Sequence, residues 1–118
     1  MARSADPSTQ TPLHPLAFQV LLVLMDGNFH GYGIAKAIER KEVGLGRIYP
    51  TNLYRRLRDM VRDGFIDEEK TSSDDGARRS TFGLTPVGRK AAEVEARRLE
   101  MLVLDARRYR LLPQQGDR

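Results

Sequence analysis

From Pro15 to Met25 almost every position is apolar. Leu16, Val20, Val23 and Leu24 recur at helical spacing, and Phe18, Leu21, Leu22 and Met25 fill most of the remaining positions. A helix that is apolar nearly all round is buried on most sides. Pro15 suits a first helical turn and Gly27 a helix end, so this block predicts a helix near 15–26. A shorter stripe follows: Ile34, Ala35 and Ile38 are apolar, while Lys36, Glu39 and Arg40 are polar, predicting a second helix near 31–41. EVGLGRI carries two glycines and reads as a loop with room for a short strand.

The third block is YPTNLYRRLRDMVRDGFI, residues 49–66. Leu53, Leu57 and Met60 lie at i, i+4 and i+7, with Val61 beside them. Pro50 fits the first turn and Gly64 the end, which gives an amphipathic third helix. At about 100° per residue, Arg55 and Arg62 point directly away from the apolar stripe. Thr51 and Arg58 flank that direction on one side and Asp59 on the other, while Arg56 projects sideways. The N-terminal half of the outward face is therefore Thr51, Asn52, Arg55 and Arg58.

FIDEEK and RSTFGLT each fit a short strand. The polar TSSDDGAR between them has an Asp-Gly turn signal, so the pair predicts a hairpin whose long tip ends on Arg78 and Arg79. Thr85 is then a good N-cap and Pro86 a good first residue for a last helix. Continued to residue 111, that helix would be about 40 Å long at ~1.5 Å per residue. Ala92, Leu99, Leu102, Ala106 and Tyr109 step by seven, three, four and three, an a/d-type seam interrupted by Glu95. A small core cannot cover so much apolar helix, and a second copy of the chain is the simplest cover. Leu99, Leu102, Val103, Ala106 and Tyr109 are the expected dimerisation residues.

The 118 residues suffice for one domain with a modest core. We expect a tail over 1–13, a folded module over 14–84, a dimerisation helix over 85–112 and a second tail over 113–118. The fold class expected is mainly α with a small β-hairpin wing, a winged helix-turn-helix, plus a long C-terminal dimerisation helix. In such a module the third helix enters the major groove of DNA with its N-terminal residues at the base edges. The charge agrees: the net value is +4, the pI is about 9.8, and sixteen of the 20 basic residues are arginine. Arginine suits phosphates and guanine edges better than lysine does. Thr51, Asn52, Tyr54, Arg55, Arg58, Arg78 and Arg79 are the expected DNA-binding residues.

The absence of cysteine removes disulfides, thiolate zinc sites and cysteine nucleophiles, and it fits a reducing cytoplasm. The longest apolar run, Val20 to Met25, is too short to span a bilayer. No serine-histidine-acid set, phosphate-cradling glycine loop or metal cluster is visible, so neither an enzyme nor a cofactor site is expected. His14 lies at the tail junction, and His30 and Tyr32 read as structural. The alternative function is a winged helix that binds another protein and no nucleic acid. An acidic or apolar outward face on the third helix would favour it, and this face is basic.

Three segments resemble the PadR-like transcriptional regulators. HGYGI at 30–34 resembles that family's histidine-glycine-tyrosine motif opening the second helix. NLYRRLRDMVRDGFI at 52–66 resembles its leucine-tyrosine, leucine, leucine and glycine-leucine-isoleucine signature. GARRSTFGLTPVGRK at 76–90 resembles its basic wing, second strand and threonine-x-x-glycine-arginine turn. The chain departs from the pattern at Val61, where a glutamate is common, and at Tyr49–Thr51, where small residues are usual. The resemblance implies a repressor of the short subgroup, acting as a homodimer on an inverted repeat, with Tyr54 near the DNA backbone. It also implies a small aromatic effector between helix one and the last helix of the second copy. With no tryptophan in the chain, Phe18 and Tyr109 would serve there.

Overall fold

Helix α1 (Pro15–Leu24) is apolar on nearly every side because the other elements pack around it. Val20 and Leu21 are fully buried, and Leu16, Ala17, Val23 and Leu24 are nearly so. The computed structural model describes residues 12–41, 46–72 and 78–113, without the side chains of Thr71, Ser72 and Arg78. Expectations for the N-terminal tail, for most of EVGLGRI, for the Asp-Gly hairpin tip, for the Arg78 side chain and for the last five residues fall outside this range.

Strand β1 (Phe29–His30) leads into α2 (Gly31–Glu39), followed by α3 (Pro50–Arg62), β2 (Ile66–Ser72), β3 (Arg78–Leu84) and α4 (Pro86–Arg108). Ile34 and Ile38 of α2 meet Leu53, Leu57 and Met60 of α3 in the same core as α1. The helices end earlier than their apolar patterns, at 24, 39 and 108 in place of 26, 41 and 111. The reason is a tightening of the last turns: Met25, Asp26, Lys41 and Arg110 donate to carbonyls three residues back, not four.

The sheet has three strands in the order β1-β3-β2, not the two of a simple hairpin. β2 and β3 pair antiparallel from Ile66↔Leu84 to Ser72↔Arg78, and β1 adds Phe29↔Phe82 and His30↔Thr81. A two-residue strand has no periodicity of its own, so only its partner reveals it.

The junction from wing to α4 explains the TPVG sequence. Gly64, with φ of 83°, turns the chain out of α3. Thr85 Oγ1 donates to the Gly64 carbonyl at 2.6 Å and accepts from Gly88 N–H at 3.0 Å, capping α4. The Phe65 carbonyl, which accepts from Thr85 N–H at 3.2 Å, lies where a side chain on Gly88 would begin.

Leu13, assigned to the tail by the sequence pattern, is part of the core. Its N–H donates to Glu95 Oε1 at 3.3 Å. Glu95 is 2% exposed and also holds the Arg98 guanidinium through both carboxylate oxygens. The carboxylate that interrupts the apolar seam thus binds the start of α1 to α4. Its neighbour His14 caps α1, with Nδ1 accepting from Leu16 N–H at 3.0 Å.

Both groups titrate in the direction that protects this anchor. The Arg98 hydrogen bond holds the Glu95 carboxyl below its ordinary 4.5 against the opposing effect of burial, and the Leu13 N–H assists. Burial, then the charge of Arg56, holds His14 below its ordinary 6.5. A depressed pKa contributes stability that is complete above the ordinary value and lost as pH falls through the folded value. Thermal stability should therefore weaken in two stages on acidification, first below about 6.5 and then below about 4.5. Glu95→Gln should cost about 1–3 kcal/mol at neutral pH and shrink the second stage, to which Glu39, held below its ordinary value by the Ile48 N–H, also contributes. Melting curves across this range check it, and a variant with the wild-type acid limb would refute the anchor.

Candidate nucleic-acid interface

The outward face of α3 is exposed at Thr51, Asn52, Tyr54, Arg55 and Arg58. The apolar stripe explains this: with Leu53, Leu57 and Met60 buried, the 3.6-residue period turns these positions to solvent. Asp59 and Asp63 do not neutralise the face. Both pair with Arg62, at 3.3 and 3.2 Å, near the far end of the helix. Arg55 Nη2 donates to Asn52 Oδ1 at 2.7 Å, which holds the two side chains together as one polar unit. Arg58 has no ion pair or hydrogen bond among the described residues. Positive charge is therefore concentrated on the N-terminal half of the outward face.

Arg56 leaves this face. It is half-buried beside His14, and its Nε finds no hydrogen-bond partner among the described residues. The sideways direction expected of it is thus an inward one, toward α1.

The helix starts differ in a way the sequence does not show. α1 and α4 carry side-chain caps from His14 and Thr85, whereas α2 and α3 begin at His30 and Tyr49 without one. Neither α2 nor α3 has an acidic residue in its first turn. The first turns of α2 and α3 therefore lack a side-chain cap, and their positive dipole ends face the same side as the basic residues without a neutralising acid of their own.

Tyr54 and Arg79 come together in an open cleft of about 460 Å³ that is also lined by His30, Gly31, Tyr32 and Ser80. His30 Nδ1 lies 3.1 Å from the Ser80 carbonyl and fastens the start of α2 to the wing. Tyr54, 42% exposed, lies over Gly31: a Cβ there would come within 2.6 Å of the phenol oxygen. The glycine of HGYG is thus what lets the tyrosine lie across the helix start. Arg79 is exposed and already holds a contact within the chain. Tyr32, read from the sequence as structural, is 72% exposed and packs no core.

The expected dimerisation residues form a separate surface. Glu95 is the last buried residue of α4, and Leu102, Val103 and Tyr109 are 51%, 36% and 73% exposed. Leu99 and Ala106 are half-buried. Met101 and Leu104, outside the seam, are 55% and 53% exposed on the opposite side of the helix. The proposed effector residues are not neighbours along the fold: Phe18 packs against the core, while Tyr109 follows the end of α4.

No helix among the described residues is long and apolar enough to cross a membrane. Among the same residues no group of three or more histidine and acidic side chains is placed to hold a metal ion.

No curated protein matches the sequence. Solved structures match in fold. A transcriptional regulator from Clostridium thermocellum has a TM-score of 0.71 at 24% identity, over 80% of this chain and 89% of that one. A PadR family transcription regulator from hypervirulent Clostridium difficile has a TM-score of 0.70 at 21% identity, over 81% of this chain and 98% of that one. Bacillus subtilis PadR, solved in complex with operator DNA, has a TM-score of 0.63 at 21% identity, over 70% of this chain and 46% of that one. Residues 20–94, from the middle of α1 to the first part of α4, match the family described as the transcriptional regulator PadR-like family. The chain belongs to the PadR-like family of transcriptional regulators.

Proposed function

We propose that the chain is a DNA-binding repressor that acts in the cytoplasm as a homodimer on an inverted repeat. The observation that carries this reading is the charge-concentrated start of α3, where Asn52, Arg55 and Arg58 stand exposed with no carboxylate paired to them among the described residues. Arg55, oriented by Asn52, reads a base edge, and Thr51, Asn52 and Arg58 complete the contact in the major groove. Tyr54 and Arg79 hold the backbone from their shared cleft, with Arg78 adjacent to Arg79 in the sequence. The fold shared with a PadR solved on its operator supports this docking. The second copy joins through the exposed end of α4. A small aromatic effector, held between α1 of one chain at Phe18 and α4 of the other at Tyr109, favours one spacing of the recognition helices. It releases DNA only through unequal affinity for the two states.

Binding titrations against operator and scrambled duplex at several salt concentrations separate reading from holding. Arg55→Ala should cost about 1–3 kcal/mol on operator and relax preference at one base position in each half-site. Arg79→Ala should weaken both duplexes alike and flatten the salt dependence by about one unit of slope per chain. If Arg55→Ala keeps wild-type affinity and selectivity, the recognition role of α3 is refuted.

A further inference from the structure

Three of the four tyrosines are exposed on one continuous surface, and none of them packs the core. Tyr32 lines the cleft of Tyr54 and Arg79 on one side. On its other side it lines an open cavity of about 740 Å³ with Lys36, Arg47 and Tyr49. A smaller hollow of about 180 Å³ joins Arg47 and Tyr49 to Asn52. The surface therefore runs unbroken from the wing, past the starts of α2 and α3, to the outward face of the recognition helix.

Two cations on this surface are held by aromatic faces. Lys36 Nζ lies 5.4 Å from the centre of the Tyr32 ring, and the Arg47 guanidinium lies 5.8 Å from that of Tyr49. At exposed sites such contacts are worth about 0.5–1 kcal/mol, enough to bias a rotamer while leaving most N–H donors open. Among the described residues that line the larger cavity, the carboxylate is Glu39, which faces Lys36 at 3.6 Å. It is turned to the chain, accepting from Ile48 N–H at 2.8 Å, and so fixes the segment carrying Arg47 and Tyr49 against α2.

We propose that Lys36 and Arg47, each seated on its tyrosine, form a second phosphate-holding station on DNA, distinct from the wing cleft of Tyr54 and Arg79. This rests on the DNA-binding reading above and adds the positioning contacts on another part of the same surface. The Tyr32 and Tyr49 hydroxyls supply further donors to phosphate. The station fits a backbone and not a base: its donors flank the start of α3 and do not lie along its outward face. Lys36 and Arg47 therefore raise affinity for any sequence and leave selectivity unchanged.

The test uses the full chain, a random-sequence duplex and the slope of log affinity against log salt. Lys36→Gln/Glu39→Gln removes the local pair without changing net charge. Lys90→Gln/Glu93→Gln removes a pair of the same spacing and the same 3.6 Å distance on α4, away from this surface. The first double variant, and Arg47→Gln alone, should each flatten the slope by about 0.9 per chain, and the α4 variant should not. Selectivity for operator over scrambled duplex should stay at the wild-type value in all three. A wild-type slope in Lys36→Gln/Glu39→Gln and Arg47→Gln overturns the station, as does equal flattening in the α4 variant. If those slopes are wild-type while Arg55→Ala loses selectivity, the station alone fails. If the wild-type chain binds no duplex, the DNA-binding reading fails and the station with it.

Discussion

Leu102→Glu should leave the chain folded and monomeric. Within one chain Leu102 is 51% exposed, so a charge there meets water and the substitution should change monomer stability by no more than about 0.5 kcal/mol. In a dimer closed along α4 the same carboxylate would be buried twice, once from each copy, at about 3–5 kcal/mol for each uncompensated charge. The geometry of α4 favours the second case. At about 100° per residue, Leu99, Leu102, Val103 and Ala106 continue the face that Gly88, Ala91, Ala92 and Glu95 bury against the rest of the chain. Residues 96–108 carry that face about 20 Å beyond its last buried position. Sedimentation velocity compares the two proteins directly. Wild type should run as a dimer at micromolar concentration and Leu102→Glu as a monomer with unchanged circular dichroism. A wild-type monomer, or a variant that sediments as the dimer, would refute assembly through this helix.

Gly88→Ala should be the most damaging small substitution in the winged-helix module. A Cβ at residue 88 would lie 2.0 Å from the Phe65 carbonyl oxygen and 2.9 Å from its carbon. These are backbone atoms, fixed by the Thr85 N–H bond and by the left-handed turn at Gly64. No rotamer change relieves the overlap, so α4 has to move away from the end of α3. A loss on the order of 4 kcal/mol is expected, at the upper end for one residue. Gly33→Ala is the matched contrast. Its Cβ would meet Phe29 Cδ2 at 3.4 Å, an ordinary contact, and Ala suits a helix better than Gly by about 0.5–1 kcal/mol. Urea denaturation of the two variants should thus move in opposite directions. A Gly88→Ala midpoint equal to wild type would show that the junction yields more readily than its hydrogen bonds imply.

The apolar periods of 15–26 and 49–66 are strong enough that the sequence alone determines α1, α3 and the outward position of Arg55 and Arg58. Proline and glycine punctuation places their ends to within a few residues, and Thr85-Pro86 does the same for α4. These features are local: each depends on residues within about one turn, which a sequence displays directly. The basic wing and the HGYG and TPVG motifs are equally visible as patterns.

What those glycines do was decided by tertiary structure. Gly31 yields to the ring of Tyr54, and Gly88 to the carbonyl of Phe65, each more than twenty residues away in the chain. The strand at Phe29–His30 exists only because β3 offers it an edge. Glu95 looks like a flaw in an apolar seam until Leu13 N–H and Arg98 converge on it. Tyr32 looks like a packing residue until the core is seen to close without it. For Gly31, Gly88, the strand at Phe29–His30 and the Leu13 bond to Glu95, the missing information is a contact distant in sequence. Periodicity shows which face of an element turns inward, but only packing shows which backbone groups remain to be satisfied, and by which side chains.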